Sequence, residues 1–190
     1  MPATGSMQRR TAGLAAVLGL LIVPQVSASV LQGPPARVRT EPLSAISRSA
    51  PAAPDAAFPV RGRHDFGTAV NGFGGGRGHD GQDIFAACGT PVVAARAGTV
   101  VEAESRGAEG NYMVMKASDG PHQAYLHLLR PSSVGKGDRV AAGERIGKVG
   151  DSGNADGCHL HFELWTAPGR FTGGSARNPR AALDRWASER

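Results

Sequence analysis

Aromatic side chains make up only 5% of this 190-residue chain, and it holds just two cysteines. A core so poor in rings has to be built from Val, Leu, Ile and Ala, and the 27 glycines cut the chain into short pieces. Both features point to a β-rich, turn-rich fold. The apolar run from Thr11 to Val23 is closed by Pro24, short of the ~20 residues that a bilayer-spanning helix needs. Basic residues are not clustered among aromatics, so the usual signature of a nucleic-acid surface is missing and no nucleic-acid partner is expected. Internal repeats are also missing, which excludes a repeat architecture.

What is present starts with an export pattern. Arg9 and Arg10 precede the apolar run, no acid accompanies them, and Val26-Ser27-Ala28 places a small residue before a cleavage point. Residues 1–28 are therefore expected to be a secretory signal, and the mature chain to act outside the cytoplasm, in the cell wall or periplasm. No cysteine lies near the cleavage point, so a lipid anchor is not expected and membrane contact is confined to the uncleaved signal. Losing Arg9 and Arg10 lowers the formal charge of +5 by two, and the remaining excess suits an anionic wall. In an exported protein an even cysteine count predicts a disulfide, here Cys88–Cys158. Residues 29–57, rich in Pro, Ala, Ser and Arg without a hydrophobic period, read as a disordered linker.

A folded domain is expected over 58–167, followed by a tail over 168–190. Short strand-like runs cover Gln82–Ala86, Pro91–Ala95, Gly98–Glu104, Tyr112–Lys116 and His122–Leu129, separated by turn residues. Val134 to Gly150 reads as a strand, a tight turn and a second strand. Such spacing indicates an all-β sandwich or barrel. Asn178-Pro179 caps a short C-terminal helix from Arg180 to about Ser188, with Leu183 and Trp186 on one face.

Candidate chemistry lies in three motifs. In Gly157-Cys158-His159-Leu160-His161-Phe162-Glu163-Leu164, strand alternation puts His159, His161 and Glu163 on one face and Cys158, Leu160, Phe162 and Leu164 on the other. Two imidazoles spaced in this way lie about 7 Å apart, suited to separate roles in one pocket. His79 and Asp83 are four residues apart in a loop with six glycines between Asn71 and Gly81, and offer nitrogen and oxygen donors of the kind zinc takes. In the third motif, alternation puts Tyr125 and His127 on one face and Leu126 and Leu128 on the other. His64 and His122 are expected to be exposed, and Glu163 to be a solvated strand carboxylate, although it could instead steady an imidazole. Asn71, Arg77 and Tyr125 border the candidate site.

Together the blocks GHDGQDIFAACGTPVVAARAGTV, YLHL, GDRVAAGERIGKVGDSGN and GCHLHFELW resemble the lysostaphin/LytM-type zinc endopeptidases, over more than half of the chain, from Phe58 to Trp165. The resemblance implies an antiparallel β-sandwich or barrel-like hybrid of the duplicated-hybrid-motif type. It also implies one zinc held by His79, Asp83 and His161, a catalytic pair His127 and His159, and a monomeric hydrolase of peptidoglycan peptides. Two alternatives compete. One is a non-catalytic wall-binding or activator protein of the same fold. The other is a biotinyl- or lipoyl-like carrier, with Met113-Val114-Met115-Lys116-Ala117 as its attachment turn.

Overall fold

The computed structural model describes residues 54–76 and 78–189, which form nine short strands and one helix. The expected signal segment, most of the expected linker and Arg77 lie outside the described residues. The strands are Gln82–Phe85 (β1), Pro91–Val93 (β2), Gly98–Arg106 (β3), Gly110–Ala117 (β4), His122–Leu128 (β5), Arg139–Val140 (β6), Arg145–Lys148 (β7), His159–Trp165 (β8) and Ala176–Arg177 (β9). The helix is Arg180–Ser188 (α1).

Seven strands form one antiparallel sheet in the order β1-β8-β5-β4-β3-β6, with β9 added beside β8. β2 and β7 pair in a separate two-stranded sheet. The fold is thus all-β and antiparallel with one short helix, as expected, but the sheets do not close into a barrel. The segment from Val134 to Gly150 also differs from its expected reading. Its two strands do not pair with each other: β6 joins β3 and β7 joins β2, so the turn between them carries the chain from one sheet to the other.

Alternation along the strands decides what each face holds. Ile84, Met113, Met115, Tyr125, Leu160 and Phe162 project from one face of the large sheet. They pack with Phe58, Val60, Val92 and Ile146, and with Leu183 and Trp186 of α1, in a single buried cluster. The opposite face carries Tyr112, Val114, Ala124 and Leu126 in a smaller cluster. Ahead of β1, the Ala57 N–H donates to the Ala95 carbonyl at 2.8 Å. At α1 the Asn178 side chain accepts from the Arg180 N–H at 2.9 Å, satisfying one of the free donors of the first turn.

Met113 to Ala117 lies inside β4, and Lys116 is paired with Thr99 of β3. A carrier's attachment lysine has to stand at an exposed turn, so that reading fails on geometry.

Candidate metal centre

Strand register assembles the site. β1 and β8 run antiparallel with Asp83 directly opposite His161 and Phe85 opposite His159, so the carboxylate and both imidazoles share the face that the main core does not use. His79 arrives from the glycine-rich loop just before β1. Its Nε2 lies 3.0 Å from Asp83 Oδ1, and His161 Nδ1 lies 2.9 Å from the same oxygen. The three donor atoms all fall within 4.8 Å of one another.

His127 reaches the site by an irregularity. Between Met113↔Tyr125 and Asn111↔Leu128, β5 spends one residue more than β4, which is a β-bulge. In regular pairing with β8 the residue after Leu126 would fall opposite Leu160 and face the core. Instead His127 has φ +61°, the one non-glycine left-handed residue among those described, at a cost of about 1–2 kcal/mol. The bulge turns its ring onto the site face, 4.8 Å from the His159 ring centroid. This overturns the simple alternation. Tyr125 and Leu128 enter the core, while Leu126 and His127 both line the cleft. Tyr125 serves packing: its hydroxyl accepts from the Ala95 N–H and donates to Gln123 Oε1.

Outward hydrogen bonds fix every ring. The Nδ1–H of His79 points to the Gly72 carbonyl at 3.0 Å, that of His127 to Ser152 at 2.8 Å and that of His159 to Gly157 at 2.9 Å. His161 does the reverse, with Nε2 at 3.1 Å from Glu163 Oε1. The opposite nitrogens of His79, His161 and His159 face the Asp83 carboxylate, at 3.0, 2.9 and 3.6 Å from Oδ1. Two imidazole nitrogens and a carboxylate oxygen gathered this closely suit a shared cation, a proton or a metal. A tetrahedral ion of zinc's size sets its ligand atoms about 3.4 Å apart; here two pairs stand at 2.9 and 3.0 Å and all three lie within 4.8 Å. The donor set of two imidazoles and a carboxylate is of the kind zinc takes, and His79, Asp83 and His161 are the residues that could hold a metal.

Charge at the site follows from its neighbours. Burial works against ionisation of Asp83, but the hydrogen bond and charge of His161 outweigh it and hold the carboxyl below its usual range. Burial likewise pulls His161 down, yet Asp83 and Glu163 on its two nitrogens raise it to about 9. A metal at this site competes with that proton. For His127 burial prevails over the Ser152 carbonyl and lowers the imidazole to about 4.

Three side chains differ from their expected settings. Glu163 is 1% exposed rather than solvated. It accepts from His161, from Trp165 Nε1 at 2.6 Å and from Arg170 Nε at 2.6 Å, so it steadies the His161 ring. His122 is buried under Gly169, a packing position at the start of β5 that its place after Pro121 does not reveal. His64 is half-buried and stacks on Phe58 at 4.3 Å. Asn71 lines the cleft, and its amide donates to Asp83 Oδ2 at 3.4 Å. Arg170, unanticipated from sequence, bridges Glu163 and Glu109 beside the site. The expected Cys88–Cys158 disulfide is present, with its Cα atoms 5.3 Å apart, and it ties the β1–β2 connection to the residue before His159.

The cleft holding these groups has a volume of about 670 Å³. Lysostaphin of Staphylococcus simulans is 37% identical over 122 residues, 63% of this chain and 24% of its own length. The glycyl-glycine endopeptidase ALE-1 of Staphylococcus capitis is 38% identical over 122 residues, 63% of this chain and 33% of its own. Peptidoglycan DD-endopeptidase ShyA of Vibrio cholerae is 40% identical over 86 residues, 45% and 20% respectively. The chain thus spans a fifth to a third of the length of these relatives. Among solved structures, lysostaphin superposes with a TM-score of 0.57 at 29% identity, over 70% of this chain and 54% of that one. A sequence model of peptidase family M23 matches residues 77–179, a stretch that takes in every strand of the metal centre. On that match, which covers more than half of its length, the chain belongs to peptidase family M23.

Proposed function

We propose that the chain is a secreted zinc metalloendopeptidase that hydrolyses peptide bonds in bacterial peptidoglycan cross-links. One observation carries the reading: His79, Asp83 and His161 bring donor atoms within 4.8 Å of one another in an open cleft that His127 and His159 also line. Zinc bound by His79, Asp83 and His161 would supply Lewis acidity and an acidified water at neutral pH.

The remaining chemistry belongs to the chain. His127 and His159 both present Nε2 inward with the opposite nitrogen anchored, so either ring takes a proton from an attacking water and returns it to the leaving amine. Burial keeps His127 neutral, and thus a free acceptor, at neutral pH. Asn71 and His161 engage different oxygens of Asp83 and hold the carboxylate in place. Substitution of either His127 or His159 is expected to slow hydrolysis about 100-fold or more. On this reading residues 1–28 are the export signal and 29–57 a linker. The peptidase domain starts at residue 58, and residues 168–190 are a C-terminal tail with a short helix.

The relatives' names supply two bonds to test, a DD cross-link and a glycine bridge. Purified metal-loaded chain is expected to release fragments from isolated peptidoglycan. Mass spectrometry of digested, defined muropeptides should show one peptide bond hydrolysed, and His79→Ala should be inert. Wall left intact by the loaded protein and by His79→Ala alike would overturn the proposal and leave the wall-binding alternative.

A further inference from the structure

The bulge that brings His127 to the cleft also breaks the ladder between β4 and β5. The break lies just after the Asn111↔Leu128 pair, where the Asn111 side-chain amide donates to the Leu128 carbonyl at 3.0 Å. Ser152, from the loop ahead of β8, fills that gap. Its hydroxyl donates to the Leu128 carbonyl at 2.7 Å and accepts from the Asn111 N–H at 2.9 Å. Its own carbonyl accepts the Nδ1–H of His127 at 2.8 Å.

The backbone is shaped to admit this residue. Gly110 has φ +64°, and a Cβ there would stand 2.4 Å from the Ser152 carbonyl carbon and oxygen. Gly153 has φ +75°, and its Cβ would meet the Gly110 nitrogen at 2.4 Å. Only two glycines let the loop and β4 approach so closely. The seam continues with the Asn154 N–H donating to the Ala108 carbonyl at 2.9 Å.

We propose that Ser152 is a positioning residue for His127: its hydroxyl bridges the open ladder and its carbonyl locks the imidazole with Nε2 toward the cleft. Ser152 does not line the cleft, so it acts through His127 and not on substrate. The inference rests on the hydrolase reading only in giving His127 work to do. An imidazole displaced by about 1 Å can lose on the order of 100-fold in rate.

The test compares full-length, zinc-loaded wild type with Ser152→Ala, which deletes the hydroxyl and keeps the carbonyl. The expected result is a fall in kcat of about 10-fold or more, with KM and bound zinc unchanged, because the ligands stand on β1, β8 and the preceding loop. The ring-nitrogen NMR signals of His127 should report a single Nδ1–H tautomer in wild type and a mixture in the variant. Wild-type kcat and an unchanged His127 spectrum would overturn the assignment. So would a variant that loses thermal stability while kcat per folded molecule is retained, or one that loses its zinc together with the tautomer. If wild type itself cleaves no peptidoglycan, the hydrolase reading fails, and the His127 spectrum still decides what Ser152 does.

Discussion

Glu163 stands behind His161 as a buried acceptor whose charge is answered by Arg170 and Trp165. A carboxylate in that place fixes the imidazole's orientation and raises its basicity toward a metal. Glu163→Gln keeps an acceptor and removes the charge, so zinc affinity should fall about 10-fold in a chelator competition titration. Glu163→Leu should cost more, because it removes the acceptor on His161 Nε2 and one of the two carboxylates that Arg170 bridges. His127 gives a pH prediction. Its folded pKa of about 4 lies below the free value of 6.5, so between those limits the unfolded chain takes up a proton that the folded chain refuses. Stability should therefore drop as pH falls from 6.5 to 4 and be restored as pH rises; urea midpoints of wild type and His127→Gln should diverge across that window. At this scale the sequence was only partly readable. Strand alternation puts Glu163 beside His161, but it gives no hint of Arg170, which closes over it from seven residues further on. It also puts Tyr125 on the same face as His127, whereas the extra residue of the bulge leaves Tyr125 in the core and His127 at the cleft.

The β1–β8 register is what makes one site from two distant motifs, because it sets Asp83 opposite His161 across 78 residues of chain. The strands themselves were legible: apolar residues at every second position and glycine at the corners mark β1, β3, β4, β5 and β8 nearly to their ends. Their partners were not. Val134 to Gly150 looks like a hairpin because a turn joins two strands, yet the strands are claimed by different sheets, a choice made by the surrounding core. β9, two residues long, has no pattern to find. The disulfide acts at this scale by pinning the β8 entry to the β1–β2 connection. Closing a loop of sequence separation 70 is worth about 4 kcal/mol by the chain-entropy relation. A Cys88→Ser, Cys158→Ser double variant should show a lower denaturation midpoint by roughly that free energy, while still binding zinc through ligands the bridge does not touch.

Across the whole molecule, the family match ends at residue 179, but the core does not. Leu183 and Trp186 of α1 are buried with Phe162 and Tyr125 in the main cluster, directly behind the strand that carries the site. Trp186→Ala should cost about 3–5 kcal/mol and lower Tm, as emptying a buried ring position does. The helix was readable from Asn178-Pro179 and the three-residue spacing of its two large apolar side chains; that it packs behind β8 was not, since nothing local specifies a docking partner. The account as a whole depends on zinc seated by three particular side chains with the other two histidines standing free of it. Zinc stoichiometry, measured on purified wild type and on alanine variants of His79, Asp83, His161, His127 and His159, tests this directly. One zinc per chain is expected in wild type, His127→Ala and His159→Ala, with binding lost or strongly weakened in the other three. Zinc retained in full by His79→Ala, Asp83→Ala and His161→Ala, or never bound by the wild type, would contradict it.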